Sequence, residues 1–125
     1  MSKVKFTSIS SFDGFEGMLN VEELWTNSNP TSSFAGQSIP LDLSKYELLL
    51  IIFRWSSSDP GTLTSITKVD KSGQVMALYD EKIYRSFNTS TSGVTFNDAR
   101  ASSSATGSMS VSNTKCIPQV IYGIN

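Results

Sequence analysis

Apolar residues come in short runs along this chain, often at every second position, and turn-forming residues separate the runs. The clearest case is Leu63 to Val69. Leu63, Ser65, Thr67 and Val69 fall on one side of an extended segment, and Thr64, Ile66 and Lys68 on the other. Val4 to Ile9 alternates in part and predicts a first strand, ended by an Asp13-Gly14 turn. Val21 to Thr26 predicts a second strand, although Glu22-Glu23 also suits the start of a helical turn. Asn27 to Ser33 is a loop. Its Asn and Ser side chains bond their own backbone, and Pro30 lacks a donor. Phe34 to Leu43 reads as extended, with Phe34, Ile39, Leu41 and Leu43 as its apolar marks.

Leu48 to Phe53 is the longest apolar run, at six residues. Such a strand is expected to be buried on both faces, with Arg54 near its end where the charge reaches water. It is far shorter than the ~20 residues a membrane helix needs. Ser56 to Gly61 is a loop with a Pro60-Gly61 turn. Leu63–Val69, Gln74–Tyr79 and Lys82–Phe87 then predict an antiparallel meander. Its connections are Asp70 to Gly73, where Gly73 supplies a positive φ, and Asp80-Glu81. Asn88 to Gly93 reads as a polar turn and Val94 to Phe96 as a short strand. Ala101 to Gly107 is small and polar and predicts a loop or a weakly held edge. Ser108 to Val111 and Cys116 to Ile124 complete the set. About eight short strands at ~8–12-residue spacing predict an all-β fold, a single-domain antiparallel β-sandwich or jelly-roll-like barrel over residues 1–125.

Composition narrows the chemistry. The 125 residues include 23 Ser and 11 Thr, no His and a single cysteine, Cys116. Without His there is no His-based triad, general base or metal ligand. One cysteine makes neither an internal disulfide nor a thiolate zinc site. A net charge of -1 gives no footprint for nucleic acid or an anionic membrane. The start Met1-Ser2-Lys3-Val4 leads into no apolar leader, so synthesis in a cytoplasm is expected.

The candidate residues are those that suit sugars. Trp25 and Trp55 either stack on the apolar face of a sugar ring or close the core at the ends of apolar strands. Tyr84 and its neighbour Arg85 lie near a turn and read as surface residues. Asn27 and Asn29 place amides on one loop. Asn97, Asp98 and Arg100 group donors and acceptors on another, which suits hydroxyl recognition as well as it suits a solvated turn. The carboxylate pairs Glu22-Glu23 and Asp80-Glu81 are adjacent, so in a strand they point to opposite faces and share no substrate. Asp13 and Glu16 alone are too few to hold calcium. Cys116 precedes an apolar strand and reads as a buried inert thiol. No metal and no cofactor are expected.

Two segments carry a resemblance. One runs Leu24-Trp25-Thr26-Asn27-Ser28-Asn29-Pro30-Thr31-Ser32-Ser33-Phe34-Ala35-Gly36-Gln37 and on through Leu41 to Tyr46. The other combines Gly93-Val94-Thr95-Phe96 with Cys116-Ile117-Pro118-Gln119-Val120-Ile121-Tyr122-Gly123-Ile124. They resemble small tail-associated or fibre-tip proteins of phages and prophages, where segments of the type LWTNPNPTSSF and IPxxIYGI recur around an all-β body. The chain departs from that pattern after Phe96, where Asn97-Asp98-Ala99-Arg100 leads into a Ser run. The resemblance implies a non-enzymatic virion protein at a tail tip or fibre, with other virion proteins as partners and a trimer as its oligomer. Recognition of a host-surface glycan is the expected function. The alternatives are a capsid decoration or head-fibre protein with a purely structural role and, more remotely, a cell-wall glycan hydrolase.

Overall fold

The computed structural model describes residues 3–4, 20–104 and 106–125. Within them are eleven strands: β1 (Lys3–Val4), β2 (Val21–Thr26), β3 (Gln37–Pro40), β4 (Leu48–Ser56), β5 (Thr62–Lys68), β6 (Ser72–Leu78), β7 (Lys82–Ser90), β8 (Gly93–Phe96), β9 (Arg100–Ser102), β10 (Ser110–Val111) and β11 (Lys115–Ile124). No helix occurs among the described residues, so the all-β expectation holds. The first expected strand beyond Val4, the Asp13-Gly14 turn and Glu16 lie outside the described residues.

The strands form two antiparallel sheets that pack as a sandwich. One has the order β1-β2-β11-β4-β5. The other has the order β10-β9-β7-β8-β3, with β6 on the far side of β7. Nine-residue β7 is the organising strand of this second sheet. One of its edges carries β6 along most of its length. Its other edge is shared, with β9 beside Lys82–Tyr84 and β8 beside Phe87–Ser90.

The alternation seen in sequence builds the core between the sheets. Leu49, Ile51 and Phe53 of β4, with Ile117 and Ile121 of the adjacent β11, face Ile83 and Phe87 of β7 and Val94 and Phe96 of β8 across the sandwich. Phe53, Phe87 and Phe96 form an aromatic cluster with centroids 5.9–6.0 Å apart. Phe34 meets Phe96 edge-on at 5.6 Å. This geometry suits ring quadrupoles better than face-to-face stacking.

Five local expectations need correction. The apolar run of β4 is not buried on both faces. Leu49, Ile51 and Phe53 are buried, but Leu48, Leu50 and Ile52 are half-buried on the outer side of the five-stranded sheet. There they align with Ile124, Tyr122 and Val120 of β11, and Leu50 aligns with Ile66 of β5, which is 64% exposed. A central strand in a two-layer sandwich has only one neighbour layer to bury it.

Nor do the strands β5, β6 and β7 form a meander. β5 pairs with β4 and β6 with β7, so the chain crosses between sheets at residues 69–71. The crossing is pinned by Thr89, whose hydroxyl donates to the Lys71 carbonyl at 2.8 Å and accepts its N–H at 3.1 Å. The positive φ there belongs to Asp70, at 70°, and not to Gly73. Gly73 is required for a different reason. A Cβ at this position would lie 2.6 Å from both Phe87 Cζ and Thr67 Oγ1.

Finally, Ala101 and Ser102, expected in a loop or a weakly held edge, belong to β9, which is paired on both sides, and strand β7 runs on to Ser90 through what reads as a turn. Polar Ser and Thr runs do not announce strands, but their backbones are as able to pair as any other.

Candidate functional site

The eight candidate residues separate into two groups. Trp25, Asn27 and Trp55 serve the fold, and Asn29 lies in the loop after β2. Trp25 pairs with Ile121 across the β2–β11 ladder, and its half-buried ring lies 6.1 Å from Phe34 at 68° and 6.5 Å from Phe96. Trp55 is half-buried against the same core. The Asn27 amide is committed at both ends. Its Nδ2 donates to the Pro118 carbonyl, and its Oδ1 accepts the Asn29 N–H, both at 2.9 Å. That is an Asx turn closing β2. Asn29 is exposed, and its carbonyl accepts the Ser32 N–H.

Tyr84, Asn97 and Arg100 come together on the outer face of the six-stranded sheet. In β7 the inward positions are Ile83, Arg85, Phe87 and Thr89, so Lys82, Tyr84 and Ser86 point outward. The ladders place Met76 of β6 opposite Tyr84, Arg100 of β9 opposite Tyr84, and Val111 of β10 opposite Arg100. Directly paired residues share a face. The result is a row Met76–Tyr84–Arg100–Val111 across four strands, with Met76 48% and Val111 53% exposed. On one side of this row lie Leu78 and Lys82. On the other lie Gln74 and Ser86, with the Asn97 amide donating to Ser86 Oγ at 2.9 Å.

Asp98 adjoins this face as a brace. Its Oδ1 accepts the Gly36 N–H at 2.8 Å and Asn113 Nδ2 at 3.0 Å. These bonds, the Gly36 N–H foremost, hold its carboxyl below the usual carboxylate range. Asn113 in turn accepts the Ala99 N–H at 2.9 Å, so the segment that presents Arg100 is fixed to the β10–β11 connection.

Arg85 is the largest departure from the sequence reading. It is not a surface residue but fully buried, at 0% exposure. Its guanidinium donates to four backbone carbonyls: Asn97 at 2.7 Å, Phe34 and Cys116 at 2.8 Å, and Lys115 at 3.3 Å. The signal that finds it was present in the sequence. Arg85 sits between Ile83 and Phe87 at period two, on the inward side.

A shallow groove of about 420 Å³ lies by β9 and β10, lined by Ser102, Ser103, Ser108, Ser110 and Ser112 with the Lys115–Glu81 ion pair (2.9 Å). Among the described residues, no three of His, Cys, Asp and Glu gather as a metal site would require. Glu22 pairs with Gly123 and bonds the Tyr46 hydroxyl at 3.0 Å, while Glu23 pairs with Tyr122, so the two carboxylates occupy opposite faces of β2. No protein-family model, curated protein or solved structure matches the chain.

Proposed function

We propose that the protein is a non-catalytic binding domain that recognises a glycan through the outer face of its six-stranded sheet. In line with the resemblance of its two segments, it serves as a surface component of a phage particle and reads a host polysaccharide. The row Met76–Tyr84–Arg100–Val111 carries this reading. It sets an aromatic ring between an apolar side chain and a five-donor guanidinium, with the Asn97 amide one position away. Sugars present apolar C–H faces rimmed with hydroxyls, and this surface offers a partner for each. The face is open, so one site binds weakly, and several copies on one particle raise the avidity.

The test is binding of a multivalent display of the protein to host cell wall and to a glycan array. Tyr84→Ala is expected to weaken binding about tenfold or more, since aromatic anchors dominate such surfaces. Its unfolding midpoint should stay near that of the parent. Absence of binding to every wall polysaccharide tested removes the reading.

One observation favours a second reading, a purely structural particle protein. The outer face of the five-stranded sheet is apolar across three strands, at Leu48, Leu50, Ile52, Val120, Tyr122, Ile124 and Ile66. Apolar patches of this kind mark contacts with other chains. Light scattering on the parent and on Ile66→Glu measures whether that face assembles. A monomeric mass for both counts against it.

A further inference from the structure

We propose that the Tyr84 face selects an acidic glycan, one carrying a carboxylate or a phosphate, over a neutral one. This rests on the reading of that face as a glycan-binding surface and adds the charge of the ligand. Lys82 and Tyr84 point to the same side of β7, and Arg100 stands directly opposite Tyr84 on β9. Two cations therefore flank one aromatic ring.

Neither cation has an ion-pair partner within 4.0 Å among the described residues, where the single ion pair is Lys115–Glu81. Of the nearby carboxylates, Asp80 lies in the exposed β6–β7 turn without an ion pair, and the other two are already occupied. Glu81 is held by Lys115, and Asp98 lends a favourable field to Arg100 but keeps its Oδ1 on Gly36 and Asn113. No outward position of β6, β7, β8 or β9 carries an acid.

A protective role for the two cations does not fit their location. Lysines that guard a sheet against edge-to-edge pairing sit on edge strands. β7 and β9 are each paired on both sides. The chain as a whole carries 10 basic and 11 acidic side chains, so this face is cationic against a balanced background. A guanidinium beside an aromatic ring matches a sugar bearing a planar carboxylate or a phosphate, because it pairs the anion with two donors while the ring takes the C–H face.

The experiment measures affinity for three probes of equal length: an oligogalacturonate, a phosphorylated oligomannose and a neutral dextran oligomer. Inorganic phosphate alone is the fourth arm. Acidic oligosaccharides are expected to bind at least about tenfold tighter than dextran, and that advantage should shrink as salt rises. Lys82→Gln and Arg100→Gln should each lower the acidic-to-neutral affinity ratio several-fold, while Tyr84→Ala weakens all three sugars. The carboxylate and phosphate arms identify which anion is preferred. Equal affinity for acidic and neutral probes, or an unchanged ratio in both charge variants, overturns the selectivity. If Tyr84→Ala still weakens dextran in that case, the glycan reading stands without it. Inorganic phosphate binding as tightly as the sugars overturns the glycan as ligand, and no binding to any probe removes both.

Discussion

Arg85 Nε lies 2.8 Å from the carbonyl of Cys116, a residue held in left-handed backbone conformation at φ 46°. The other bonds of the same guanidinium reach Phe34, Asn97 and Lys115, and its Cζ lies 5.3 Å from the Phe34 ring centroid. One cation thus ties β7 to the start of β11, to the β8–β9 connection and to the chain before β3. Burial draws its pKa down to about 10, which still leaves it charged at neutral pH. Its carbonyl partners compensate the lost water, as a buried charge requires.

Replacing Arg85 by Met should therefore be severe. It leaves carbonyls from three chain segments without donors in a closed interior. A loss of about 3 kcal/mol or more is expected in urea unfolding, given the cost of orphaned buried groups. Arg85→Lys should recover only part, because an ammonium has three donors and no fork. A loss within 0.5 kcal/mol, the scatter of ordinary surface changes, would sink the role given to this residue.

Trp25→Ala tests the assignment of that ring to the core. Its packing on Phe34 and Phe96 predicts a stability loss of about 3 kcal/mol. Glycan affinity of the folded fraction should be unchanged. Intact stability with lost binding would return Trp25 to the candidate surface.

Gly123 supports the ring of Tyr46. A Cβ there would lie 2.6 Å from Tyr46 Cδ1 and 2.8 Å from Cε1 and Cγ. That ring is 5% exposed and has no room to swing aside. Gly123→Ala should cost about 1–3 kcal/mol by overpacking, read as a lowered thermal midpoint.

Cys116 is wholly buried, and burial pushes its thiol up from 9.0 to about 11. The native protein should resist alkylation at neutral pH and react only on unfolding, as mass spectrometry can follow. Unfolded chains lose the thiol proton near 9, before folded ones do. The stability it contributes is therefore complete below pH 9 and is lost as pH rises through about 11. Cys116→Ala should flatten that part of the alkaline profile, and a profile unchanged by the substitution would count against it.

Asp98 works at the other end of the scale. Its folded pKa is depressed, with the Gly36 N–H the main cause and Asn113 next. Its contribution is present above the unfolded value of 3.8 and lost as pH falls through the lower folded value. Asp98→Asn should weaken the acid dependence of unfolding. It should also lower the order of the Arg100 segment, seen as faster amide exchange at Ala99. Identical exchange in both proteins would argue that Asp98 does not brace this face.

Much of the fold was legible because period-two alternation is a local property. Val21–Thr26, Leu48–Trp55, Leu63–Lys68 and Cys116–Ile124 all declared themselves as strands and are strands. What alternation does not carry is the partner of each strand. β5 and β6 look like neighbours in a hairpin, yet they belong to different sheets, because Asp70 and Thr89 turn the chain across the sandwich. In the candidate site, Tyr84, Asn97 and Arg100 were visible as residue types. Met76, Lys82 and Val111 were not, since only cross-strand register brings them beside the others. The indole rings of Trp25 and Trp55 were ambiguous, because a Trp at a strand end suits a core wall as well as a binding platform.

The sequence by itself determined an all-β chain, the absence of His chemistry and of any internal disulfide, and the inward or outward side of most strand residues. Each follows from composition or from the two-residue repeat of an extended backbone. Only the tertiary structure decided the fate of Arg85. Its spacing from Ile83 and Phe87 pointed inward, yet its place near a turn made it read as a surface residue, and an unpaired cation in a core is ordinarily prohibitive. It is tolerated here because carbonyls from Phe34, Asn97, Lys115 and Cys116, distant in sequence, converge on one point. Satisfying a buried charge needs donors and acceptors from several segments at once, and that coincidence exists only after the chain has folded.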